Sequence, residues 1–226
     1  MKKLMLFVMA SVCSLGMFAQ TPEAKEELKG EVSPAVSALR LASDLVKYGY
    51  AQQSALPLVD ALQIIAENPT QPMNAERQGS EVAENGEGKN GKVTLDFATI
   101  AASAKEFADG DETILKLIAQ VEADSQGNHR GAVNGPREAC YAVAANGVDT
   151  YELSFVKGYL AEIGVAGDGD TDLDLYVYDS NGNPIAADTS YSGDCYVNWV
   201  PAWTGRYIIK VVNRGPIYNR YVIVTN

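Results

Sequence analysis

The first half of the chain carries apolar residues at the three- and four-residue spacing of amphipathic helices. Four helices are predicted, beginning at Ser33-Pro34, Ser54, Asp96 and Asp111. The first helix is predicted to end at Gly49. Their apolar stripes indicate two αα-hairpins that close a small bundle or a solenoid-like stack. An ordinary packed bundle is one interpretation of this half, and a peptide-binding groove is the functional alternative.

Residues 70–92, between the two hairpins, are polar and contain scattered glycines. Such a composition offers too little apolar surface for a packed core. The sequence therefore predicts a flexible polar loop here, within a helical domain of residues 31–125.

From Tyr151 onward the pattern changes to short runs of Tyr, Val and Ile separated by Gly, Asn, Asp and Pro. Seven strands are predicted, over 151–156, 159–166, 172–179, 184–189, 194–200, 206–213 and 218–225. The predicted fold class is thus α+β, as a two-domain chain in which helical hairpins precede an antiparallel β-sandwich of residues 149–226. Residues 126–148 are predicted as a linker.

Several motifs of the second half resemble the bacterial pre-peptidase C-terminal domain. They are Tyr151 with Phe155, the run Gly167-Asp168-Gly169-Asp170-Thr171-Asp172-Leu173-Asp174-Leu175-Tyr176-Val177-Tyr178, the run Trp203-Thr204-Gly205-Arg206-Tyr207, Val211-Val212-Asn213, and Tyr221. The resemblance covers about residues 149–226 and implies a β-sandwich of jelly-roll type, found on secreted proteins and often beside a peptidase. No peptidase precedes it here, so a stand-alone binding or stability module is expected.

The first 19 residues have the pattern of a secretory signal peptide, with Lys2 and Lys3 before a short apolar run that ends in small residues near Ala19. The run is too short to cross a bilayer, and no later segment is continuously apolar for that length. The chain is therefore expected to be exported, to the periplasm or outside the cell. A net charge of −11 argues against nucleic acid as a partner.

Catalytic chemistry has little support in the sequence. The single histidine, His129, lies in a loop without an adjoining nucleophile motif, whereas Ser-His-Asp and Cys-His hydrolases need an imidazole beside the nucleophile. Zinc-binding spacings of His and Cys do not occur. No catalytic residue is therefore predicted. A hydrolase with carboxylates that are distant in sequence stays an alternative.

Four aspartates alternate at the start of the third predicted strand: Asp168, Asp170, Asp172 and Asp174. Residues 149–194 offer them only Lys157 as a cation. Hard oxygen ligands concentrated on one turn are suited to calcium, so a weak calcium site is one hypothesis. A solvated acidic turn is the other.

Cys140 and Cys195 remain once the signal peptide with Cys13 is removed. An even pair in an oxidising compartment favours a Cys140–Cys195 disulfide. Each could instead be a small buried residue.

Exposed aromatic residues are the remaining candidates for ligand contact. Trp203, in a Pro-Ala-Trp-Thr-Gly turn, and Tyr191 are suited to stacking on a sugar or a peptide, whereas alternation places Trp199 in the core. The function predicted from the sequence is an exported non-catalytic binding or structural module, whose partner is a protein, a peptide or a glycan. A secretion or maturation appendage fused to a helical cargo domain is the alternative.

Overall fold

Four helices form the first part of the structure, a computed structural model that describes residues 33–82, 92–127 and 135–226. They are α1 Pro34–Gln52, α2 Ala55–Glu67, α3 Phe97–Phe107 and α4 Glu112–Gly127. Each begins next to the residue from which the sequence predicts it. Asp96 caps α3 by accepting the Thr99 amide at 2.8 Å, and Asp111 accepts the Thr113 amide at the same distance.

Gly49 does not end α1, which continues to Gln52 and stops where Gln53 adopts a left-handed conformation. The glycine instead allows α1 and α2 to approach closely. A Cβ at this position would lie 2.5 Å from the Cδ2 atom of Leu58 on α2. The residue is thus needed for packing between the helices and not for termination.

Nine strands form two sheets. They are β1 Gln71–Pro72, β2 Arg137–Val143, β3 Val148–Phe155, β4 Ala161–Gly167, β5 Leu173–Asp179, β6 Pro184–Asp188, β7 Asp194–Trp199, β8 Gly205–Asn213 and β9 Asn219–Thr225. The first sheet has the order β1-β2-β9-β4-β7 and the second β3-β8-β5-β6. All pairs are antiparallel except the short β1–β2 pair. The predicted α+β class, with helices followed by a β-sandwich, is confirmed.

The core of the sandwich lies between the two sheets. On β5, Leu173, Leu175 and Val177 are fully buried and point into it, together with Ile163 of β4 and Ile209 of β8. Apolar side chains recur at every second position on most of these strands, as expected for strands with one face on the core. This alternation is the reason that strands β3 to β9 are predictable from the sequence.

The strand β2 lies within residues 126–148, where the sequence predicts a linker. It pairs with β9 over its whole length, from Arg137 opposite Thr225 to Val143 opposite Asn219. Its sequence, Arg-Glu-Ala-Cys-Tyr-Ala-Val, has a single β-branched residue and two alanines. The intrinsic strand preference is therefore weak, and the pairing with β9 decides the conformation.

Residues 71–82, predicted as part of a flexible loop, cross one edge of the sandwich and are called the strap below. Its first residues form β1 on the first sheet, and Gln78 exchanges two backbone hydrogen bonds of 2.9 and 2.8 Å with Thr150 of the second sheet. Between them, Met73 is buried in the core of the sandwich. The strap therefore joins the two sheets at the edge formed by β2 and β3.

The helices form a third layer on the outer face of the first sheet. Ala166 of β4 and Val222 and Val224 of β9 belong to the same apolar cluster as the buried faces of the helices. Gly164 of β4 permits this contact, because a Cβ there would lie 2.6 Å from the Cδ atom of Arg40 on α1. The two predicted halves thus share buried surface.

Candidate functional site

Some sequence predictions fall on residues that the structure does not describe. The predicted signal peptide of residues 1–19, with Cys13, and the loop histidine His129 lie outside the described ranges. Among the helices that are described, none combines the length and the apolar composition needed to span a membrane.

The acidic turn before β5 uses its aspartates as acceptors for backbone amides. Asp168, only 6% exposed, accepts the Arg220 amide through Oδ2 at 2.7 Å and the Asp170 amide through Oδ1 at 3.0 Å. Burial raises the pKa of Asp168, and these two hydrogen bonds oppose that shift. Asp172 accepts the Ser192 amide at 2.9 Å. The turn is thereby attached to β9 and to the loop before β7.

A cation reaches the last of the four aspartates from a distant part of the chain. Arg214, after β8, donates from Nε to Asp174 Oδ2 at 2.6 Å, and the Tyr176 hydroxyl donates to the same oxygen at 3.0 Å. In the described ranges no three Asp, Glu, His or Cys side chains converge as metal ligands. Calcium binding by Asp168, Asp170, Asp172 and Asp174 stays a prediction of the sequence, without a converged ligand set here.

The predicted disulfide does not form: Cys140 and Cys195 are both free. Cys140 is on β2 and Cys195 on β7, and β9 and β4 lie between these strands. Three inter-strand spacings amount to about 14 Å, twice the largest Cα separation that a disulfide allows. The residues also occupy opposite faces of the sheet. Cys195 Sγ donates to the Leu173 carbonyl in the sandwich core, whereas Cys140 Sγ lies 3.5 Å from the Val93 carbonyl beside the helical layer.

Both thiols are therefore expected to react once a chain that lacks residues 1–19 is unfolded in urea without reductant. In the folded protein Cys195 is expected to be unreactive, because it is fully buried and burial raises its pKa far above the usual value. Titration with a chromogenic disulfide reagent, repeated on Cys195→Ala, counts each thiol separately. An unfolded, unreduced chain with no reactive thiol would contradict the observed topology.

The two aromatic candidates lie at opposite ends of the sandwich. Tyr191 is fully exposed and precedes Ser192, whose carbonyl accepts the amide of Leu173 at the start of β5. Trp203 stacks on Tyr207, which pairs with Asp179 at the other end of β5. The two residues cannot contribute to one binding surface. Trp199, as predicted, is in the core.

Trp203 shares its end of the sandwich with two further exposed residues, Val156 and Tyr159, and the three are called the end patch. Their exposed fractions are 37% for Trp203, 54% for Val156 and 55% for Tyr159. The turns that carry them are joined by hydrogen bonds of 3.0 Å, from the Gly158 amide to the Pro201 carbonyl and from the Lys157 amide to Thr204 Oγ1. Two turns that are distant in sequence thus form one surface.

The end patch is supported from below by aromatic packing. The indole ring of Trp203 lies 5.4 Å from the Tyr207 ring, at an angle of 14°. Tyr207 is buried and contacts Trp199 and Phe155, with ring centroids 5.6 and 6.0 Å away. A side chain held in this way loses little rotational freedom when a ligand contacts it. Trp203 is therefore organised before binding.

A second polar group, which the sequence analysis misses, lies under the strap. Asp149 is fully buried and receives hydrogen bonds from Arg77 Nη1 at 2.8 Å and from the Tyr221 hydroxyl at 2.7 Å. The Tyr221 hydroxyl also bonds to that of Tyr151. Burial raises the pKa of Asp149, and the bonds from Tyr221 and Arg77 oppose this shift.

This buried group holds the strap against the sandwich. Burial also raises the pKa of Tyr221 well above its usual value, so its hydroxyl remains a donor. Gly79 packs directly on the carboxylate, since a Cβ there would clash with Asp149 Oδ1. Tyr151 and Tyr221 are prominent in the sequence, but nothing in it connects them with Arg77.

No known protein family and no curated protein matches the sequence. Solved structures with a similar arrangement include PliG from Aeromonas hydrophila, a periplasmic inhibitor of g-type lysozyme, at 10% identity and a TM-score of 0.31 over 40% of this chain and 86% of that one. The pre-peptidase C-terminal domain of a Bacillus anthracis collagenase has 14% identity and a TM-score of 0.31, over 39% of this chain and 89% of that domain. These values describe a partial likeness of fold.

Proposed function

We propose that this chain is an exported, non-catalytic binding module and that the end patch is its ligand-contacting surface. The observation that carries this proposal is Trp203, which is exposed at the tip of the sandwich yet braced by Tyr207. Trp and Tyr side chains supply large contact areas to proteins, peptides and sugars and dominate many binding surfaces.

Export is supported by the pattern of residues 1–19 and by the resemblance of residues 149–226 to a domain of secreted proteins. The motif residues behind that resemblance lie at structural positions in the sandwich: Leu173 and Leu175 in its core, and Trp203 with Tyr207 in the aromatic stack. We therefore propose a sandwich related to the pre-peptidase C-terminal domain.

Two alternatives have weaker support. A hydrolase would need a pair of carboxyl groups that act together in one cleft. Two buried carboxyl groups are instead held in place: Arg77 and Tyr221 hold Asp149, and both oxygens of Asp168 accept backbone amides. A removable appendage would need a separable sandwich, whereas Val222 and Val224 are buried against the helices.

Trp203→Ala is expected to weaken ligand binding by at least about 30-fold, the effect of losing one dominant contact residue. The mature chain is screened on a glycan array and against a displayed-peptide library, which separate the ligand classes. Each ligand found is then titrated against wild type and variant.

Tyr191→Ala is the matched control, because it removes an exposed aromatic side chain from the opposite end of the sandwich. It should leave the affinity unchanged, while Tyr159→Ala should lower it. Ligands that bind Trp203→Ala and wild type equally would show that the end patch is not the binding surface.

A further inference from the structure

The second and fourth helices leave an open groove between them. It encloses about 530 Å³ and is called the α2–α4 groove; its lining residues in α2 include Val59, Asp60 and Ala66, and those in α4 include Leu117 and Asp124. Leu56 and Leu117, which also line it, are 52% and 42% exposed. The groove thus combines an apolar surface with access from solvent.

Helix α4 is incompletely covered by the part of the chain that the structure describes. It contacts α2 and α3, and of its residues 112–125 Ile118 is fully buried, while Ile114 and Val121 are only partly buried. Apolar side chains of a helix are normally covered by a neighbouring element. The exposed Leu117, one turn from Ile114 and Val121, marks the side of α4 that no element within residues 33–82, 92–127 and 135–226 covers.

The rim of the groove is acidic. Asp60 and Glu67 of α2 and Asp124 of α4 line it, with Gln63 and Gln120 between them. Within the described ranges no ion pair neutralises these three carboxylates, and the nearby Lys116 faces Glu112 at 3.7 Å. A partner with cationic side chains beside an apolar surface would complement both features.

The shape of the groove favours a helix as occupant. Val59, Gln63 and Ala66 form a row at helical spacing on one wall, and Leu117, Val121 and Asp124 form a row on the other. A third helix can pack its side chains between two such rows, and the small Ala66 permits close approach. The 13 residues of α2 give a length of about 20 Å, enough for three to four turns of a partner helix.

We propose that the α2–α4 groove docks an amphipathic helix of a partner protein, with an apolar face flanked by lysine or arginine. The proposal depends on residues separate from the end patch, so the two surfaces are tested independently.

The probe is an 18-residue fluorescent peptide with leucines at helical spacing and lysines on both flanks. An acidic twin carries Glu for Lys, and a scrambled twin keeps the composition without the amphipathic pattern. Fluorescence anisotropy with the mature chain should give micromolar affinity for the first peptide and at least about tenfold weaker binding for both twins. Added salt should weaken the binding of the lysine-flanked peptide to the chain.

Variants locate the site. Leu117→Ser should weaken binding about tenfold, and Asp60→Asn with Asp124→Asn about fivefold with a smaller salt dependence. Leu41→Ser, which changes a 53% exposed leucine on α1, is the matched control and should have no effect, as should Trp203→Ala. Far-ultraviolet circular dichroism checks that each variant is folded.

Three results would overturn the proposal. Binding of the scrambled peptide as tight as that of the amphipathic peptide would indicate attraction by charge alone. Leu41→Ser would weaken binding as much as Leu117→Ser if the site were elsewhere. Sedimentation of the chain alone would show a dimer that Leu117→Ser dissociates if the groove served self-association.

Discussion

Replacing Arg77 by methionine is expected to lower the free energy of unfolding at pH 7 by about 3 to 5 kcal/mol, because it leaves a charged carboxylate buried without its cation. Asp149 is fully buried, and Arg77 Nη1 lies 2.8 Å from its Oδ1 atom. Methionine keeps much of the length and apolar surface of the arginine stem. Urea denaturation of both proteins measures the difference.

The loss of stability caused by Arg77→Met should depend on pH. Burial raises the pKa of Asp149 in the folded protein, so the folded carboxyl takes up a proton more readily than the unfolded one. Its contribution to stability is therefore fully present below the unfolded pKa and is lost as the pH rises through the folded pKa. Without Arg77 the pKa of Asp149 in the folded protein is expected to rise further. The difference in free energy of unfolding between wild type and Arg77→Met should therefore be largest at neutral pH and should become smaller towards pH 4.

Two controls separate the buried ion pair from general effects of removing arginine. Asp149→Asn added to Arg77→Met should recover part of the lost stability, because no buried charge then remains. Arg206→Met breaks an exposed ion pair of the same length, 2.8 Å to Glu152, and should have little effect. Equal losses for Arg77→Met and Arg206→Met would contradict a special role for the buried pair.

The strands β3 to β9 are predictable because their apolar residues alternate and their ends carry turn residues. Gly182, between β5 and β6, has a φ of 83°, which glycine adopts readily. The helices are predictable for a similar local reason, since all four carry apolar stripes and Asp96 and Asp111 cap α3 and α4, although Ser33 and Ser54 make no side-chain capping bond at the starts of α1 and α2. Local patterns of this kind determine the class of the fold.

The strap and β2 depend on partners that are distant in sequence. Met73 is the largest apolar side chain in a mostly polar segment, and only the sandwich that forms later in the chain gives it a core to enter. Arg77 and Asp149 are 72 residues apart. No local pattern in the sequence connects such pairs, so the strap resembles a flexible loop until the fold is known.

The same distinction applies to the candidate sites. The acidic turn lacks cations only in its own part of the sequence, since Arg214 reaches Asp174 from beyond β8. An even number of cysteines predicts a disulfide between Cys140 and Cys195, but the order of the strands in the sheet keeps the two residues apart. The sequence indicates Trp203 as a candidate for ligand contact. That Val156 and Tyr159 belong to the same surface follows only from the hydrogen bonds between the two turns.

A fragment of residues 149–226, the sandwich domain predicted from the sequence, is expected not to fold cooperatively on its own. The cut removes β2, which pairs with β9 along seven residues, and it removes the buried Val143 and Met73 from the core. It also leaves Asp149 without Arg77. A sandwich that begins at this residue therefore lacks one edge of its first sheet and the strap that closes it.

The loss of the helical layer adds to this effect. Val222 and Val224 of β9 are at most 2% exposed in the whole chain, and each would return to water in the fragment. Exposure of a buried valine costs about 1.5–3 kcal/mol, against a total stability of about 5–15 kcal/mol for a typical domain. The exposed outer face of the first sheet would also favour aggregation.

Urea unfolding, followed by near-ultraviolet circular dichroism, compares three proteins. Residues 33–226 should unfold in one cooperative transition, because the helices and both sheets share buried surface. Residues 135–226 retain β2 and should keep some structure with a low midpoint, whereas residues 149–226 should show no sharp transition. If residues 149–226 instead unfolded cooperatively at the midpoint of the longest protein, the sandwich would be an independent domain and residues 126–148 the linker that the sequence predicts.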